Sequence, residues 1–103
     1  MRKSIKTINR VIRRLIATEP CPEIRWDDVV RIEAVGTDVL GAFEISLIIT
    51  YRDDSDVKIF VHHKGYDEIL ESLSRRFPSI PRTWYDEMAQ QSWHVESVLW
   101  ERE

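Results

Sequence analysis

The sequence predicts an α+β domain: a four-stranded, mainly antiparallel sheet with helices packed on one face, in the order α-β-β-β-α-α-β. Three observations carry that expectation. Residues 42–51 and 57–63 alternate apolar and polar side chains with a period of two. Residues 66–77 switch to the i, i+3, i+4, i+7 spacing of a helix. The connections between the alternating stretches are short, which suits hairpins and leaves no room for parallel crossovers. With 103 residues, 43% of them apolar, the chain has material for one core and one domain, residues 1–103.

The elements follow in order. Residues 4–17 read as an amphipathic helix, because Ile5, Ile8, Val11, Ile12, Leu15 and Ile16 fall within an arc of roughly 140°. Arg2, Lys3, Lys6, Arg10, Arg13 and Arg14 lie on the other side, so residues 1–18 form a basic helix. Pro20 and Pro22 stop it, since each lacks an N–H and disfavours helix in the residue before it. Residues 26–35 have strand character, with Trp26, Val30, Ile32 and Ala34 on one face, Asp27, Arg31 and Glu33 on the other, and Val29 and Val35 as exceptions. Gly36-Thr37-Asp38 and Gly41 mark the turn that follows.

Phe43, Ile45, Leu47, Ile49 and Tyr51 then share one face of the clearest strand. After the polar turn Asp53-Asp54-Ser55-Asp56, Val57, Ile59 and Val61 resume the alternation to residue 63, which completes a three-stranded meander over 26–63. Two helices are expected over 66–91. Tyr66, Ile69, Leu70, Leu73 and Phe77 set the stripe of the first, and Asp67, Glu68, Arg75 and Arg76 suit its dipole. The second, over 82–91, brings Trp84 and Met88 to one side. Residues 95–101 form the final strand, whose neighbour the pattern leaves open.

Composition narrows the class. Cys21 is the only cysteine, so an internal disulfide is excluded and a reducing, cytoplasmic setting is expected. Apolar stretches such as Leu47-Ile48-Ile49 fall far short of a membrane span, and no secretory signal is visible. Charge is unevenly placed. Residues 1–18 hold six cations and no acid, whereas the remainder holds nine cations against 18 acids, so +6 and −9 sum to the net −3.

Chemistry-bearing groups are sparse. His62 and His63 are adjacent and, on a strand, would point to opposite faces, so they are not expected to share an ion. Their spacing matches no zinc motif, and His94 is distant. Counted from Asp53, the sixth and twelfth residues are Lys58 and Lys64, which excludes an EF-hand. Cys21 lies between two prolines with no base beside it in sequence. There is no nucleophile elbow and no glycine-rich phosphate loop. The expectation is therefore no catalytic residue, no metal and no cofactor.

The basic face of residues 1–18 has four readings. It could follow nucleic-acid phosphates, rest on an anionic surface, or serve as a presequence. Alternatively, its apolar stripe packs on the sheet while its cations answer the acidic remainder, and this reading is preferred because it needs no partner. Trp84, Trp93 and Trp100 are candidate interaction aromatics, with the core as the plainer alternative.

The run Trp26-Asp27-Asp28-Val29-Val30-Arg31-Ile32-Glu33-Ala34, Asp38 and the 43–49 strand form one half of a resemblance. Gly65, the helix to Phe77-Pro78, Trp84 and the ending Val98-Leu99-Trp100-Glu101-Arg102 form the other. Together they resemble a group of short bacterial proteins, some of which are similar to immunity proteins of toxin systems. Such relatives carry a glutamate pair ahead of the glycine, where this chain has His62-His63-Lys64.

The resemblance implies a small non-enzymatic interaction module of the immunity or antitoxin kind that binds a protein partner, and an unpaired sheet edge or a tryptophan surface could equally make a homodimer. A nucleic-acid-associated protein using the Arg2–Arg14 face is the alternative. An enzyme of unfamiliar type is a third reading, and it requires the histidines to converge with carboxylates.

Overall fold

The computed structural model describes residues 19–91 and 93–102. The basic helix expected over 1–18 lies outside the described residues. The protein is α+β: strands β1 (Val29–Val39), β2 (Ala42–Tyr51), β3 (Asp56–Ile59) and β4 (Val95–Glu101), with helices α1 (Tyr66–Arg76) and α2 (Trp84–Ala89). The strands form one open antiparallel sheet in the order β3-β2-β1-β4. Among the described residues no helix is long and apolar enough to cross a membrane.

β1 departs from the expected phase at its start. A bulge between Val29 and Arg31 leaves Val30 without a partner on β2, so Val29 and Ile32 both face the core. Trp26 belongs to a 3₁₀ turn, Trp26–Asp28, ahead of the strand. Gly36 lies inside β1 rather than in a turn, and the hairpin closes at Leu40-Gly41, between the paired residues Val39 and Ala42. Both turn residues have positive φ, 51° and 86°, as a two-residue hairpin turn of the favoured twist requires. The Gly41 N–H donates to Asp38 Oδ1 at 3.0 Å.

β2 alternates as expected, with Ile45, Leu47, Ile49 and Tyr51 buried. β3 is shorter than its pattern, ending at Ile59, and residues 61–63 turn away toward α1. β4 runs beside β1, which places the last described strand against the first.

Both helices cover one face. Tyr66, Leu73, Ile80, Trp84 and Met88 close over Ile32, Ala34, Leu47, Ile49 and Ile59 in a single apolar cluster. Burying each of the leucine, isoleucine and methionine side chains contributes about 1.5–3 kcal/mol. The Tyr66 hydroxyl donates to the Ile45 carbonyl, pinning α1 to the centre of β2. α2 has six residues, fewer than the expected 82–91, yet it buries the Trp84 and Met88 pair that its spacing predicted. At one end Phe77 packs between Trp26 and Trp100, with ring centroids 6.1 and 4.6 Å away, and Arg76 lies over the Trp26 ring.

Candidate functional site

Directly opposed residues of an antiparallel pair point to the same side, so the ladder lays out the sheet face away from the helices. One row runs Glu96–Val35–Ser46, the next Val98–Glu33–Ile48–Lys58, and the next Glu101–Arg31–Thr50–Asp56. Val35, Thr37, Glu44, Ser46, Ile48, Lys58 and Phe60 line a shallow depression of about 350 Å³ there. Phe60 and Val98 are exposed on this side at 37% and 47%. Among the described residues, five carboxylates, Glu33, Glu44, Asp56, Glu96 and Glu101, share the face with two cations, Arg31 and Lys58. Arg31 Nε sits 3.4 Å from Glu33 and 3.7 Å from Glu101, which leaves an acidic surplus around the apolar centre.

At one margin of this face the fold brings together a hydroxyl, an imidazole and a carboxylate. Thr37 Oγ1 lies 3.1 Å from His94 Nδ1, and His94 Nε2 lies 3.0 Å from Glu96 Oε2. Sequence reasoning could not supply His94 with an acid, because its partners come from 57 residues upstream and from the next outward position of β4. The relay stands in water, with His94 and Glu96 more than half exposed. The high dielectric there weakens the field that activates a hydroxyl, and the arrangement serves better to tie β4 to β1.

The second histidine cluster lies at the opposite edge. Because β3 ends at Ile59, His62 and His63 occupy a turn rather than a strand, and their ring centroids are 4.8 Å apart. His62 stacks on Phe60, centroids 5.4 Å apart and planes 7° from parallel. The Phe60 N–H donates to His63 Nδ1 at 2.9 Å. The strap ahead of β1 joins them: Lys64 N–H donates to the Glu19 carbonyl and Cys21 N–H to the Lys64 carbonyl, each at 2.9 Å. The nearest ligand atoms of Glu19, His62 and His63 then all fall within 4.8 Å of one another. Cys21 is half-buried close by, and burial, followed by the Glu68 charge, pushes its thiol pKa up, which keeps it a poor nucleophile.

Among the candidate aromatics, Trp84 is in the core, Trp100 packs half-buried on Phe77, and Trp93 is 65% exposed. They do not form one surface. Arg2, Lys3, Lys6, Arg10, Arg13 and Arg14 lie outside the described residues. The three histidines do not converge: His62 and His63 meet Glu19, and His94 meets Glu96. The chain matches no family model, no curated protein and no solved structure.

Proposed function

We propose that the protein is a non-enzymatic binding module for a cationic protein, and that the sheet face away from α1 and α2 is its contact surface. One observation supports this most: an apolar centre of Val35, Ile48, Phe60 and Val98 set among five carboxylates and two cations. An apolar patch whose polar rim has a surplus of one sign of charge has the anatomy of a protein interface, and the field raises the association rate of a partner of opposite sign. The acidic remainder of the chain, −9 over residues 19–103, adds to the same field. The resemblance to immunity proteins points the same way, with a cationic toxin such as a nuclease as the favoured partner class. The chain's own residues 1–18, with six cations beside an apolar stripe, are the internal competitor for this face.

Photo-crosslinking in the native host tests the reading, with the reactive residue placed at Ser46 on the open face or at Glu71 on α1. Crosslinks from Ser46 and not from Glu71, to a protein of high isoelectric point, are expected. Glu96→Lys together with Glu101→Lys then lowers the association rate measured at low salt by about tenfold. Crosslinks to nucleic acid, to a second copy alone, equally from both positions, or to nothing overturn the proposal.

A further inference from the structure

We propose that Glu19, His62 and His63 form a binding site for a divalent transition-metal ion of the zinc type, which clips the strap ahead of β1 to the turn after β3. Their ligand atoms already lie within 4.8 Å of one another. Metal–ligand bonds of about 2.0–2.2 Å at tetrahedral angles place ligand atoms roughly 3.3–3.5 Å apart. The remaining closure is within reach of side-chain rotation, since Glu19 is exposed and both imidazoles are partly so.

The backbone has done most of the assembly. The paired hydrogen bonds between residues 19–21 and Lys64 hold the Glu19 main chain beside the turn, so metal binding does not have to order the strap. Gly65, at φ 88°, turns the chain from the histidines into α1, a conformation a side chain at that position would strain. Phe60 stacked on His62 restricts the rotation of that ring. Two imidazole nitrogens and one carboxylate select zinc, cobalt, nickel or copper over magnesium and calcium, which require oxygen ligands. Three protein ligands leave a fourth position for water or for a group from a partner.

At His63 a backbone bond must give way. The Phe60 N–H can donate only to an unprotonated His63 Nδ1, so in the metal-free neutral ring the proton sits on Nε2. An ion at Nδ1 displaces the amide directly. An ion at Nε2 drives the ring proton to Nδ1, where it faces the same N–H. Either way, ligation by His63 releases the Phe60 amide, and that amide becomes a local reporter that a merely electrostatic association would leave untouched.

The test uses the full chain and zinc, with cobalt as a spectroscopic substitute and magnesium as the control. One equivalent of zinc should bind, cobalt should show the absorption of a tetrahedral site, and magnesium should not compete. His62→Ala and Glu19→Gln should each weaken zinc binding at least about tenfold, whereas His94→Ala should leave it unchanged. Glu19→Gln keeps the exposed position and its backbone bonds, so its result does not depend on a variant that fails to fold. In nitrogen-15 spectra, the Phe60 amide should shift and exchange faster on zinc addition. Equal losses from His62→Ala and His94→Ala, full affinity in Glu19→Gln, or an unmoved Phe60 amide would overturn the site.

Discussion

Gly36→Ala is the sharpest test of how the sheet is packed. A Cβ built on Gly36 would lie 2.4 Å from Phe43 Cζ, 2.9 Å from Phe43 Cε2 and 3.1 Å from Val95 Cγ1, where ordinary contact begins near 3.4 Å. The Phe43 ring lies across the glycine, so it must retreat by about 1 Å from a place where it packs on the core. Overpacking of this kind costs about 1–3 kcal/mol. Alanine restricts the unfolded chain and returns about 0.4–1 kcal/mol, since its backbone conformation here is not left-handed. The midpoints of these ranges leave a net loss of about 1.3 kcal/mol, or a fall in Tm of roughly 5–10 °C at about 4–8 °C per kcal/mol. Urea unfolding followed by tryptophan fluorescence should show the loss as a lower midpoint with an unchanged slope. In a Phe43→Leu background, which has no atom at the ring's far end, the same substitution should cost less than about 0.5 kcal/mol. Wild-type stability in Gly36→Ala, or an equal loss in both backgrounds, refutes the packing account.

Leu40 holds φ at 51° in the hairpin turn, a region that disfavours branched side chains. Leu40→Asn should therefore stabilise by about 1 kcal/mol in thermal unfolding, and a loss would contradict it. Leu73 is fully buried on the inner face of α1, and Leu73→Ala should cost about 2–5 kcal/mol in the same assay. Tyr66→Phe removes the donor to the Ile45 carbonyl and should cost about 1–2 kcal/mol at neutral pH. Burial, then the neighbouring Tyr85, raises the Tyr66 phenol pKa far above the usual range. The unfolded chain therefore releases that proton at about pH 10 while the folded chain keeps it, so stability falls as pH rises above about 10. Denaturation measured from pH 8 to 11 should show that fall in the wild type and a shallower one in Tyr66→Phe.

Legibility followed the range of the interactions involved. β2 was readable because one side faces an apolar core and the other does not, so the alternation of Ile45, Leu47, Ile49 and Tyr51 survives intact. α1 and α2 were readable for the same reason at a period of 3.6. The bulge at Val30 was not, because an unpaired residue is defined by the register of the neighbouring strand. Gly36 read as a turn because glycine commonly marks one. In the sheet it is the gap into which Phe43 fits. The adjacent histidines read as opposed because Val57, Ile59 and Val61 extend the alternation. The ladder on β3 nevertheless ends at Ile59, and the turn beyond it lets the two rings come together.

The fold class, the number of described strands, the two helices and most of the core were therefore written in local periodicity, which each stretch carries within its own neighbours. The place of β4 beside β1, the acidic open face, the approach of Glu19 to His62 and His63, and the Thr37–His94–Glu96 relay were settled by tertiary structure. Each joins groups tens of residues apart in the chain. Whether such groups meet depends on register, turn geometry and strand order, and a period of two or 3.6 encodes none of these.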